Sequence, residues 1–424
     1  MTERFSSPWI YLCLAVIFCV AGCNNDESIQ QGPGATGGLT SSANDFGGSG
    51  VVMNSGIAGP FVLFQNDSVS RMTNRDGGAV KPTGVNNIYS LGAYVDPNDA
   101  NRIKFFVNDR VNNRVLIFNI IPQNGTAVPD VVVGQADFVS SAANAGGVPS
   151  TAGFSENVHM SVCSNGNMFV ADRQNNRVMA YNRVLTSNGA TADFVIGQPD
   201  FVSVGQVNPP SASSLFHPYA AYCMANKLFV VDKDNNRILV YDPIPSTTNP
   251  VASYVIGQPG FVTNAAGCTP AGLNSPYEIL RVGDTFYIAD GGNHRVLKFD
   301  TIPGATGVSA TAVLGQGDLT SCLANRGVGA PTEKTLNFPN ALAANGSRVA
   351  VSDHTNNRVM LFDLPITTDQ SASSQIGQPG FITATTVDPP TATSVRSTKG
   401  LIFDQGHLWI GDGQNHRVVV IATP

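Results

Sequence analysis

Apolar residues in this chain come in short runs of four to six, rich in Val, Ile, Phe and Tyr and bounded by Gly, Asn, Asp and Pro. That patterning predicts strands rather than helices. The runs recur with a long period. One segment appears six times: Val-Asn-Asp109-Arg-Val-Asn-Asn-Arg114-Val, Val-Ala-Asp172-Arg-Gln-Asn-Asn-Arg177-Val, Val-Val-Asp232-Lys-Asp-Asn-Asn-Arg237-Ile, Ile-Ala-Asp290-Gly-Gly-Asn-His-Arg295-Val, Val-Ser-Asp353-His-Thr-Asn-Asn-Arg358-Val and Ile-Gly-Asp412-Gly-Gln-Asn-His-Arg417-Val. The aspartates step by 63, 60, 58, 63 and 59 residues. A Gly-Gln pair follows five of the six, at Gly134, Gly197, Gly257, Gly315 and Gly377. The third unit predicts strands over Tyr219–Met224, Lys227–Val231, Ile238–Tyr241 and Ser253–Ile256, with a tight polar turn between the second and third. Four short strands per unit and six units predict an all-β, six-bladed β-propeller of four-stranded antiparallel blades. Each blade buries its faces against its neighbours.

A ring must also close. The sixth unit reaches only its third strand, Val418–Ile421. Phe61-Val62-Leu63-Phe64-Gln65 matches the fourth-strand element Val131-Val132-Val133-Gly134-Gln135. The expectation is that this N-terminal strand supplies the missing outer strand of the last blade and covers its open edge.

The motif Asp-x-x-Asn-[Asn/His]-Arg-[Val/Ile], preceded by an aliphatic-aromatic strand and followed by a short apolar one, resembles the NHL repeat, and its six copies cover residues 59–424. The Gly-Gln-Pro-x-Phe element resembles a bacterial subtype of these propellers. The resemblance implies six-bladed rings that serve mostly as binding platforms, with a minority of related propellers being enzymes.

Ahead of the repeats lies an address. Trp9 to Gly22 is a fourteen-residue apolar stretch behind Arg4, of signal-peptide length and too short for a confident membrane span. It ends Val20-Ala21-Gly22-Cys23 and turns polar at once, resembling a lipoprotein lipobox with Cys23 as the lipidated residue. Residues 1–22 are then a signal peptide. Residues 23–58 form a Gly/Ser-rich tether, and lipid at Cys23 anchors a propeller that does not itself span the bilayer. The expected location is the bacterial cell envelope, periplasmic or surface-exposed.

Charge narrows the partners. The net charge is −6, and 24 Lys and Arg less the six motif arginines leave 18 against 30 acids. That excludes a phosphate-binding nucleic-acid surface. Six identical active sites in one ring would be a strange catalyst, so Asp109, Arg114, Asp172, Arg177, Asp232, Arg237, Asp290, Arg295, Asp353, Arg358, Asp412 and Arg417 read as turn locks. In them carboxylate and guanidinium bond across the turn and to backbone. His294 and His416 read as variants of the motif Asn. Outside the leader and Cys23 the cysteines are Cys163, Cys223, Cys268 and Cys322. The loop pair Cys268 and Cys322 is the better disulfide candidate, while the strand-borne Cys163 and Cys223 are compatible with buried small hydrophobes.

Function should lie where blades differ. The long connections near 139–157, 202–217, 262–275, 320–338 and 382–397 share one rim with the motif turns, stiffened by Pro209-Pro210 and Pro389-Pro390. At the channel mouth on that rim stand His159, His217, Tyr219, Tyr277, Glu278, Asn340 and Lys399, a mixed polar and aromatic set suited to a ligand. The two histidines lie out of register and lack a third ligand, so no metal or other cofactor is expected, and no nucleophile elbow or P-loop occurs. The reading is a monomeric, lipid-anchored binding or scaffold propeller for a protein, peptide or glycan partner. The alternative is a propeller lyase or hydrolase at the channel mouth.

Overall fold

The computed structural model describes residues 14–18, 74, 78–86, 88–96, 99–120, 127–163, 165–387, 391, 394–404, 407–412 and 417–422. Its strands form small sheets in chain order, each an antiparallel meander apart from one N-terminal strand that pairs parallel. After β1 (Leu14–Phe18), the first blade is β2 (Ile88–Asp96), β3 (Asp99–Asp109), β4 (Arg114–Phe118) and β5 (Val131–Val133). The second is β6 (Asn157–Val162), β7 (Met168–Asp172), β8 (Arg177–Tyr181) and β9 (Phe194–Ile196). The third is β10 (Ala220–Met224), β11 (Lys227–Asp232), β12 (Arg237–Tyr241) and β13 (Tyr254–Ile256), each end within one residue of its expected place. The fourth is β14 (Pro276–Val282), β15 (Thr285–Asp290), β16 (Arg295–Phe299) and β17 (Ala312–Leu314). The fifth is β18 (Pro339–Ala344), β19 (Arg348–Asp353), β20 (Arg358–Asp363) and β21 (Ser374–Ile376).

The molecule is thus an all-β propeller with five complete four-stranded blades, not the six expected. The sixth repeat makes a three-stranded sheet, β22 (Thr398–Asp404), β23 (His407–Asp412) and β24 (Arg417–Ala422). Its outer strand β24 has no further strand paired to it among the described residues. The expected closing segment, residues 61–65, lies outside them. The N-terminal strand that is described, β1, joins elsewhere: it runs parallel along β2, on the first blade's inner edge, with Leu14 opposite Leu91. Its residues fall within the stretch expected to be the leader.

The core lies between blades. Val158 and Ala171 of the second blade, Tyr222, Phe229 and Ile238 of the third, and Ile279, Phe286 and Ile288 of the fourth share one buried cluster. Phe106 and Val115 pack likewise against Met160 and Val170. Because both faces of a blade are covered, strands such as Arg177–Tyr181 are buried at every position instead of alternating. The outer strands are protected too. The loop between third and fourth strands of the next blade bonds their free edge: Asn188 Oδ1 accepts the Val132 N–H at 2.9 Å, and the Asn249 N–H reaches the Val195 carbonyl at 2.8 Å.

The Gly-Gln element turns the chain off each outer strand. Gly197 has φ +92°, and a Cβ there would lie 2.4 Å from the Leu215 side chain, so the turn needs both the conformational freedom and the space that only glycine has. Two disulfides staple neighbouring modules. Cys268–Cys322 is the expected loop pair, and Cys163–Cys223 joins the second and third blades. The strand-borne thiols are therefore bonded, not free. Cys163 sits at the end of β6 and Cys223 in β10, side by side along the inner strands, with Cα atoms 5.4 Å apart. That separation suits a bridge without loop adjustment.

Candidate functional site

The motif turns hold the connections that flank each blade. In the third blade the Asp232 carboxylate ends β11, where it pairs with Arg237 at the start of β12. Its Oδ2 accepts Arg237 Nε–H and Asn235 Nδ2–H, both at 2.8 Å, and its Oδ1 accepts the Phe216 N–H at 2.7 Å. The guanidinium spends its other nitrogens on backbone. Nη1 donates to the Phe261 carbonyl at 2.5 Å, and Nη2 to the Ser211 and Ser214 carbonyls at 2.9 Å. One buried arginine therefore ties the turn to both the incoming and the outgoing connection.

The same bonds recur at Asp109–Arg114, Asp172–Arg177, Asp290–Arg295 and Asp353–Arg358, all fully buried. Burial pushes these carboxyls up, Asp290 to about 6, against the pull of their arginines. Asp412 and Arg417 stand opposite one another in β23 and β24, with side chains outside the described residues. The Gly-Gln glutamine completes each lock: Gln198 Nε2 donates to the Asn176 and Gly205 carbonyls, both at 3.1 Å.

The second Asn of the motif latches one blade to the next. Asn176 is left-handed (φ +53°), and its Oδ1 accepts the His217 N–H at 2.9 Å. Asn113, Asn236 and Asn357 receive Glu156, Ser275 and Ser397 in the same way. In the fourth blade His294 takes that place, its Nδ1 accepting the Phe338 N–H at 3.1 Å. His294 thus stands in for Asn; His416 lies outside the described residues.

These latches set Glu156, His217, Ser275, Phe338 and Ser397, all at positive φ, at the channel mouth just before the inner strands. Here the blades differ. From the first blade to the third runs an ionic chain. Arg110 and Arg173 both meet Glu156 Oε2, the latter at 3.3 Å, and Arg173 lies 4.0 Å from Asp234 Oδ2. Asp234 also takes Lys233 Nζ at 2.8 Å and His217 Nδ1 at 2.7 Å. Burial raises Asp234, but Lys233 and His217 outweigh it and hold the carboxyl below its ordinary range. From the third blade to the fifth runs an aromatic arc. Tyr219 meets Tyr277 edge-on at 4.7 Å, Tyr277 meets Phe338 at 5.3 Å, and Phe338 lies 6.2 Å from His354. Lys233 Nζ joins the two arcs from 5.2 Å over the Tyr277 ring.

Of the expected mouth residues, Tyr219 and Tyr277 are in contact and His217 belongs to the ionic chain. His159 and Glu278 are linked through Tyr222, which lies 4.6 Å from the His159 ring and donates its hydroxyl to Glu278 Oε1 at 2.5 Å. Asn340 is the second residue of the next inner strand, β18, and the polar one in it; Lys399 lies in β22, its side chain outside the described residues. His159 and His217 make separate contacts and share no partner. Among the described residues no group of three His, Cys, Asp or Glu side chains could hold a metal ion. Arg110, Glu156, Arg173, Lys233, Asp234, Phe338 and Tyr222 were not singled out from the sequence. Most occupy the variable positions inside or just after the motif, and that variability was the available signal.

No family model matches the chain, and no curated protein matches it. Among solved structures it is similar to a selenomethionine-substituted virginiamycin B lyase from Staphylococcus aureus, with TM-score 0.40, 13% identity, and coverage of 79% of this chain and 95% of that one. A streptogramin B lyase structure gives TM-score 0.39, 11% identity and coverage of 78% and 91%. The hydrazine synthase of Kuenenia stuttgartiensis gives 0.42, 10%, 76% and 92%.

Proposed function

We propose that this protein is a binding and scaffold module built on NHL-type repeats. Cys23 carries its lipid anchor at the cell envelope and residues 24–58 tether it. It recognises a protein, peptide or glycan partner with the face that bears the locks and the connections. One observation carries this reading. The paired charges of the five described locks are buried and hold turns, while a blade-specific set meets at one end of the channel as the Arg110–Glu156–Arg173–Asp234 chain beside the Tyr219–Tyr277–Phe338 arc. Loops and blade-specific groups on a rigid scaffold are the usual place for recognition. The test uses the processed protein as bait on its native membranes. A partner retained by the wild type and by Arg183→Ala, on an exposed loop beyond the third strand, should be lost with Arg173→Glu. Equal retention by both variants sinks the reading. For the anchor, Cys23→Ser should release the protein from membranes.

A lyase or hydrolase reading is favoured by a different feature, the His217 Nδ1–Asp234 Oδ2 contact at 2.7 Å, which is how a carboxylate orients a general base. Lys233 and Arg173 compete for that carboxylate. Turnover of esters or lactones that vanishes with His217→Ala would move the assignment to that reading.

A further inference from the structure

The inner strands carry polar chemistry that neither locks nor latches use. His159, Tyr222 and Glu278 belong to β6, β10 and β14, the innermost strands of three successive blades, and touch in a row around the axis. Beside them, on β6 and on β18 of the next blade, four side-chain atoms are buried without a hydrogen-bond partner: His159 Nδ1, Ser161 Oγ, and both Nδ2 and Oδ1 of Asn340. His159 is 2%, Ser161 1% and Asn340 1% exposed. A buried polar group left unbonded costs about 1–3 kcal/mol, so several on one wall call for a bonding partner that packing does not supply.

The chemistry of the row narrows that partner. An amide, a hydroxyl and a neutral imidazole can each donate or accept; burial keeps the His159 ring uncharged. Glu278, the carboxylate of the row, already receives the Tyr222 hydroxyl. Such a wall matches a ligand whose own groups both donate and accept and carry no charge, as the hydroxyls of a sugar do. Tyr219 and Tyr277, packed edge-on against each other at 4.7 Å, stand three and one residues before Tyr222 and Glu278. From this geometry we propose that the channel wall formed by His159, Ser161, Tyr222, Glu278 and Asn340 is a binding site for a neutral saccharide. This rests on the reading of the propeller as a binding module and names a ligand class for it. β1 lies along the inner edge of the first blade and within the segment that processing ahead of Cys23 would remove, so the test uses the processed protein.

Calorimetric titration with cellotetraose, chitotetraose, maltotetraose and xylotetraose is expected to show saturable binding of at least one. Tyr222→Phe and Asn340→Leu should each weaken it at least tenfold. Both variants keep the side-chain volume nearly unchanged, and Asn340→Leu should unfold at the same or a higher temperature than the wild type, since it removes two unbonded buried atoms. Ser161→Ala, the mildest change, serves as the third variant should either of these fail to fold. Binding that all three variants leave intact overturns the placement. Silence from all four sugars, or binding of a Gly-Ser pentapeptide or choline instead, overturns the ligand class. Partner capture that Arg173→Glu abolishes would still stand in those cases, so this inference can fail without the binding module failing.

Discussion

Asp232 and Asp234 are two residues apart in Val-Val-Asp-Lys-Asp-Asn-Asn-Arg, yet they belong to different worlds. Asp232 is fully buried and takes bonds from Arg237, Asn235 and a backbone N–H. Asp234, with 24% of its side chain exposed, faces the channel mouth among Lys233, His217 and Arg173. The first has a counterpart in every blade; the second has none. Repetition in this molecule marks what the ring needs in order to stand, and departure from repetition marks what one sector of the ring can recognise.

Removing the buried partner should show the largest effect. Asp232→Ala leaves Arg237 charged and uncompensated in the interior, a situation that costs about 3–5 kcal/mol. Urea unfolding should show the midpoint lowered accordingly, and the third-blade connections freed from Arg237 should become susceptible to limited proteolysis. A midpoint within error of the wild type would mean that the lock is ornamental.

The staples should come next. Each disulfide closes a long loop, Cys163–Cys223 across 60 residues and Cys268–Cys322 across 54, and such cross-links contribute about 2–4 kcal/mol. Thermal unfolding of the double variants Cys163→Ala/Cys223→Ala and Cys268→Ala/Cys322→Ala compares a strand-borne with a loop-borne bridge. Both are expected to lower the midpoint, and the strand-borne pair is the more sensitive to a void because it is buried.

The strand boundaries and locks were legible in the sequence because they repeat. Six copies at nearly constant spacing average away local ambiguity, and Asp-to-Arg distance along the chain translates directly into a position across one turn. The blade count was less legible. The sixth repeat has the motif but a fourth strand must come from elsewhere in the chain, and spacing alone does not say where; the described N-terminal strand joins β2 instead. The second disulfide was underweighted because pairing across blades depends on how inner strands lie side by side. At the mouth, His159 and His217 looked comparable as letters. One lies against Tyr222 and the other bonds Asp234, a difference set by the longer hairpin after β6 and by the latch that holds His217 at φ +48°.

The latches give a smaller, pH-dependent contrast. In the other described latches an Asn oxygen accepts the next blade's N–H; in the fourth blade His294 Nδ1 does so. Protonation turns that nitrogen into a donor facing a donor. Burial holds the His294 pKa down, against a raising contribution from Asn337, and burial brings His159 to about 3. A histidine whose folded value lies below its unfolded value of about 6.5 leaves stability intact above that pH, and stability is lost as pH falls below it. Midpoints measured from pH 8 to pH 4 should therefore carry a loss from these histidines below about 6.5, opposed by a gain from the buried carboxyls that are pushed up, Asp290 to about 6, so the histidine's share is read as the difference from a variant. His294→Asn, the residue of the sister blades, should remove part of that loss and leave the neutral value unchanged. An identical slope would remove His294 from the account.

The smallest effect on stability should come from the other aspartate, and its smallness is informative. Asp234 sits in partly exposed ion pairs, and such pairs contribute about 0–1 kcal/mol. Asp234→Asn keeps the side chain's shape and one acceptor oxygen for Lys233, and its new amide N–H can donate to an unprotonated His217 Nδ1, while deleting the charge that Arg173 approaches. The urea midpoint should therefore stay within about 0.5 kcal/mol of the wild type, with an unchanged slope, and partner capture should fall together with that of Arg173→Glu. If Asp234→Asn instead unfolds the protein as readily as Asp232→Ala, the mouth is part of the frame, and the division between repeated support and unrepeated recognition fails at the sector where it is drawn most sharply.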